Sequence, residues 1–137
     1  MKYFFNDIRR VFAIILLCSL SACYPVYKTI QPKAQALVLD ANHQPIQGAK
    51  VSLITQAHPT FIHDVEAKDT NVAGLATFDN KREMQREVLF LHGARVYYWE
   101  WCIEKAGFAT YRTNGDFVTG LTIQLQNGAS SSCEAVR

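Results

Sequence analysis

The sequence predicts an all-β protein, an antiparallel β-sandwich of about seven strands, from three observations. Beyond residue 23 no apolar repeat of 3.6 residues is sustained, so no amphipathic helix is signalled. Short runs rich in β-branched and aromatic residues recur instead, several with the period of two that a half-buried strand requires. Clusters of Gly, Pro, Asn and Asp separate those runs. With 137 residues the chain is long enough for one such domain.

Residues 35–39 and 50–55 hold Val38, Val51, Leu53 and Ile54 and read as strands. Between them DANHQPIQGA, residues 40–49, is dense in turn formers. Pro45 presets φ, Asn42 tolerates the left-handed region, and Gly48 supplies a kink or bulge. Residues 56–68 read as a loop with a little strand around 61–65. Residues 69–74 form a turn and 75–78 a strand. The charged stretch 79–87, DNKREMQRE, is expected as one or two helical turns or an exposed connection. Residues 88–92 and 95–104 are strand candidates, the second being the aromatic run RVYYWEWCIE. Residues 105–108 turn on Gly107, and 109–112 form a short strand. In GLTIQLQ, residues 120–126, Leu121, Ile123 and Leu125 share one face and Thr122, Gln124 and Gln126 the other. The tail beyond is small and polar.

The N-terminus is of another kind. Lys2, Arg9 and Arg10 stand against Asp7 and account for the whole formal net charge of +2. Elsewhere the charges balance and are scattered, so no basic stripe is offered to nucleic acid. The apolar run 11–22 is 12 residues long and contains two serines. A spanning helix needs about 20 apolar residues. A charged leader, a short apolar block and small residues before a cut instead describe a signal peptide, expected over residues 1–22.

The tetrapeptide Leu20-Ser21-Ala22-Cys23 resembles the lipobox of bacterial lipoproteins. That resemblance implies cleavage before Cys23, acylation of Cys23 and a membrane-anchored product. Each buried CH₂ contributes about 0.8 kcal/mol, so several acyl chains together anchor a domain stably. Tyr24, not Asp, follows the cysteine, which in enteric-type lipoproteins implies the outer membrane, with the domain expected to face the periplasm. Residues 23–34, with two prolines, are expected to form a lipidated tether, and 35–137 the folded domain. Cys18 then leaves with the leader, and Cys102 and Cys133 remain as an even pair in an oxidising compartment. A disulfide between them is expected, closing a loop that stabilises by about 3–4 kcal/mol in the chain-entropy model. Two unpaired thiols are the alternative. Metal binding is disfavoured because neither cysteine has a His or Cys at ligand spacing.

Three further stretches resemble carboxypeptidase regulatory-like domains, which share a transthyretin-like sandwich. They are ALVLDANHQPIQGAKVSL (36–53), DTNVAGLATF (69–78) and Lys105-Ala106-Gly107-Phe108, in the family's order. Together they span roughly residues 35–126, whereas 56–68 and 79–87 depart from the compact pattern. The resemblance implies a seven-stranded transthyretin-like sandwich that is not itself catalytic. The expected function is a lipid-anchored envelope module that binds or scaffolds an envelope protein or glycan. An accessory lipoprotein of a secretion machine is the runner-up.

Catalytic alternatives lack residues. The related-fold hydrolase of 5-hydroxyisourate carries a catalytic histidine immediately before V-L-D, where this chain has Leu37. That enzyme ends in Tyr-Arg-Gly-Ser, whereas Tyr111-Arg112-Thr113-Asn114 is followed by 23 more residues. His58, His63 and Asp64 suggest three metal ligands from one loop, but their spacing sets no geometry, and solvated loop residues are the simpler reading. His43 reads as a turn residue and His92 as an ordinary inter-strand one. Glu100 and Glu104 share a face and read as solvated charges. No cofactor is implied. Tyr97, Trp99 and Trp101 share one strand face, read either as core or as an exposed platform for a glycan or protein.

Overall fold

The structure is a computed structural model and describes residue 12 and residues 23–58, 62–88, 95–113 and 117–133. The fold is all-β and sandwich-like. Nine strands are described: β1 (Cys23–Gln31), β2 (Ala34–Leu39), β3 (Lys50–His58), β4 (Ile62–Asp69), β5 (Leu75–Phe78), β6 (Lys81–Val88), β7 (Val96–Glu104), β8 (Tyr111–Arg112) and β9 (Gly120–Gln124). They form a three-stranded sheet ordered β5-β2-β9, a four-stranded sheet ordered β4-β3-β7-β8, and a two-stranded ribbon of β1 and β6. The leader expected over residues 1–22 lies, Phe12 apart, outside the described residues.

One apolar core lies between the two larger sheets. Alternation delivers Ala34, Ala36 and Val38 from β2, Ala76 and Phe78 from β5, and Leu121 from β9. The opposing sheet delivers Val51 and Leu53 from β3 and Trp101 and Ile103 from β7. Trp101 is fully buried and meets Phe78 edge-on at 5.5 Å. The Leu121, Ile123, Leu125 face expected from the sequence lies in or against this core. The β2–β9 pair is parallel, from Gln35↔Gly120 to Leu39↔Gln124, and every other strand pair is antiparallel.

The turn motifs dock onto one another. Asp40 Oδ1 accepts from the Asn42 and Gln44 amides at 2.8 Å each, and His43, not Asn42, takes the left-handed conformation with φ 61°. Asn71 Oδ1 accepts from the Ala73 and Leu75 amides in the same manner. Thr70 stitches the two turns together. Its hydroxyl donates to Ile46 O at 2.6 Å and accepts from the Ala49 amide at 2.9 Å.

Two expectations about irregular segments are corrected. Residues 56–68 are not a loop: β3 runs on to His58 and pairs with β4 from Lys50↔Asp69 to Ala57↔Ile62. Polar residues suit β4 because it is the edge of its sheet and has a charged neighbour on its inner side. The stretch 79–87 is not helical: β6 pairs with β1 from Gln31↔Lys81 to Cys23↔Val88. Ala34↔Phe78 and Gln31↔Lys81 lie three residues apart on each strand. Gln31↔Lys81 therefore continues the register of the β2–β5 pair, and a bulge between Thr29 and Gln31 shifts the rest of the ribbon by one residue. Pro32, which has no N–H to donate, stands at the break.

Candidate functional site

The four-stranded sheet is longer than the three-stranded one, and its overhang determines the site. β3 and β7 are nine residues each against six for β2, so their Thr55 and Tyr97 ends project past the apolar core. The ribbon covers that overhang. The Trp99 Nε1–H donates to Ile30 O at 2.9 Å, Lys28 Nζ donates to Arg95 O at 2.7 Å, and the Gln85 amide donates to the Tyr97 hydroxyl. Where ribbon and sheet meet, a cavity of about 80 Å³ is lined by Gln31, Thr55, Asp64, Lys81, Glu83 and Tyr97 among others. Drug-sized ligands occupy clefts of roughly 300–1,000 Å³, so this cavity takes a few waters rather than a substrate.

Glu66 is the electrostatic centre of the junction. Its carboxylate meets Lys81 of the ribbon at 2.6 Å and Lys68 at 3.3 Å, and accepts from Gln31 Nε2 at 2.8 Å. Burial acts to raise its pKa, but the hydrogen bonds from Lys81, Gln31 and Lys68 outweigh it and lower the value from 4.5 to about 2. Gln31 is itself 2% exposed and also donates to Asp79 O at 3.0 Å. Strand β4 is thereby tied to both strands of the ribbon. Nothing in the sequence flags this cluster, because Gln31, Glu66 and Lys81 are 15 to 50 residues apart and none belongs to a motif.

The aromatic strand resolves into three different roles. Trp101 is core and donates its Nε1–H to Val118 O at 2.9 Å, so it forms no part of an exposed platform. Trp99 packs against the core edge and Phe117 while bonding the ribbon. Tyr97 is half-buried under the ribbon. The exposed aromatic of β7 is Tyr98, on the opposite face, 52% exposed and 5.8 Å edge-on from His58. The platform reading fails because the ribbon, absent from the sequence-level strand assignment, occupies the face it requires.

Cys102 and Cys133 form a disulfide with a Cα–Cα distance of 5.9 Å. With Ile54 they make a second small buried cluster on the outer face of the four-stranded sheet. The tail is held there by more than sulfur. Arg112 Nη2 donates to Cys133 O at 2.9 Å, the Cys133 amide donates to Glu104 Oε2 at 2.7 Å, and Thr110 and Ser131 exchange two bonds. Glu104 also pairs with Lys50 at 3.2 Å. Its pKa is lowered, chiefly by the Cys133 N–H and against the effect of burial. Glu104 is therefore a fastening of the tail rather than a solvated charge.

The remaining candidates are not brought together. Register places Asp64 opposite Thr55 and His63 opposite Gln56, so the two point to opposite faces of the sheet. Both are exposed, and Asp64 also lines the junction cavity. His43 contacts Gln124 at 2.7 Å in its turn. His92 lies outside the described residues. Among the described residues no group of three or more His, Cys, Asp or Glu is placed to hold a metal ion. No helix among them is long and apolar enough to cross a membrane. Cys23 is the first residue of β1, paired with Val88 at the end of the ribbon farthest from the sandwich. No family model, curated protein or solved structure matches the chain.

Proposed function

We propose that the chain is a lipoprotein of the bacterial outer membrane, anchored through acylated Cys23. Its carboxypeptidase regulatory-like domain, a transthyretin-like sandwich, acts without catalysis as a binding or scaffolding module facing the periplasm. The observation that carries the anchored reading is the position of Cys23, the first residue of β1, at the other end of the ribbon from the Gln31↔Lys81 pair that adjoins the sandwich. An anchor there holds the domain at a set distance from the bilayer. The Cys102–Cys133 disulfide supports it as well, since such bonds persist in oxidising compartments. For the transthyretin-like detail, the support is that three plus four strands close around one core and that the signature turns bond each other through Thr70.

The test is mass spectrometry of the N-terminal peptide from membrane fractions, beside a Cys23→Ser variant. The expected result is a chain beginning at Cys23 and carrying acyl mass, with the variant released to the soluble fraction. An unmodified Cys23 in a chain that retains residues 1–22 overturns the anchored reading.

A further inference from the structure

We propose that the outward face of the β1/β6 ribbon lies on the bilayer, and that its occupant is the anionic phospholipid surface. The inference rests on Cys23 being the anchor. Body-facing positions of the ribbon are committed: Lys28 to Arg95, Gln85 to Tyr97, and Glu83 and Lys81 to the junction cavity. The alternate positions face away. There Tyr27 and Met84 are direct cross-strand partners and are 73% and 59% exposed. The next pair toward the sandwich is Thr29 and Arg82, with Arg82 exposed, and the next toward Cys23 holds Pro25, also exposed.

The chemistry of this face is that of a membrane interface. Tyrosine is favoured at headgroup depth, where its ring is apolar and its hydroxyl wet. Arginine beside it complements lipid phosphate. Acidic Glu83 of β6 is on the body side, lining the cavity, so the outward row of described side chains carries positive charge only. Tyr27 is four residues from Cys23 along one strand, about 13 Å at the strand rise. A ribbon tethered at Cys23 and lying along the surface brings Tyr27 and Met84 to the interface together. A ribbon standing upright leaves both in water.

The experiment uses the full, processed protein reconstituted in vesicles of phosphatidylcholine with or without phosphatidylglycerol. With Cys23 acylated and Cys102 bonded to Cys133, a Met84→Cys substitution supplies a thiol for an environment-sensitive fluorophore. A second label at Val72→Cys, 74% exposed in the Asn71–Gly74 turn, reports the solvated side. The expected result is a blue shift at position 84, quenching there by brominated lipid, and neither at 72. Arg82→Glu is expected to lower the shifted fraction about five-fold in anionic vesicles, the effect of roughly one surface cation. An acylated protein whose label at 84 is as solvated as that at 72 overturns the proposal and leaves the anchor standing. Shielding at 84 in native envelopes but not in protein-free vesicles overturns it in favour of a protein partner. An unacylated Cys23 overturns the anchor reading itself, and a distinct mass spectrum identifies that case.

Discussion

Single residues set the turns around which the sheets are arranged. Gly74 has φ 73°, and a Cβ placed on it would come within 2.6 Å of Val38 O and 3.0 Å of Pro45 Cβ. Both obstacles are fixed, one being backbone and the other a proline ring. Gly48 also has a positive φ, but its nearest neighbour is Lys105 Nζ at 3.2 Å, the end of a flexible side chain. Gly74→Ala is therefore expected to cost about 1–3 kcal/mol from strain alone, with steric displacement added. Denaturant unfolding measures it, and a midpoint unchanged from the parent protein would show that the turn relaxes freely. The same close approach explains the spacing of the two turn motifs, since Gly74 lets the second turn rest against the first.

At the level of elements, polar contacts help bind the ribbon to the sheet, and so its attachment depends on pH. The folded pKa of Glu66, about 2, lies below its ordinary 4.5. The stabilisation is thus complete above about pH 4.5 and is lost as pH falls toward 2. Because the carboxylate is partly solvated, its net contribution is about 1 kcal/mol. Glu66→Gln should lose that amount at pH 7 and nothing further near pH 2, as read from unfolding curves at both values. Equal destabilisation at both pH values would assign the loss to packing. Strands with apolar alternation, such as β2, β5 and β9, are legible in the sequence because the core dictates one face. Strands β1, β4 and β6 are not. Their inner faces meet one another through Glu66, Lys81 and Gln31, and a polar face looks the same whether it contacts water or another polar face.

For the whole molecule, two covalent constraints stand apart. One is the expected anchor at Cys23, and the other is the disulfide that clamps the tail across the outer face of the β3–β7 sheet. The disulfide spans 31 residues, so its reduction should lower stability by about 3–4 kcal/mol in the chain-entropy model, through the freedom it returns to the unfolded chain. A specific companion effect is expected. Freeing the tail removes the Cys133 N–H from Glu104, so the Glu104 pKa should move up toward the ordinary carboxylate value. Carboxyl titration by NMR in a Cys102→Ser, Cys133→Ser variant reads it. An unchanged Glu104 would mean that Arg112 and Thr110 hold the tail without the disulfide.

Sequence alone determined the all-β class, the turn positions, the pairing of Cys102 with Cys133 and the buried face of β9, because each depends on local periodicity, turn chemistry or cysteine parity. Long-range packing decided the rest: that Trp101 is core while Tyr98 is exposed, that a charged stretch is strand β6, and that residues 23–31 pair with it as half of a ribbon. The physical reason is that a strand's backbone bonds are made with a partner far along the chain. For β1 that partner is β6, KREMQREV, whose mostly charged and polar residues give no apolar signature by which the pairing can be recognised in advance.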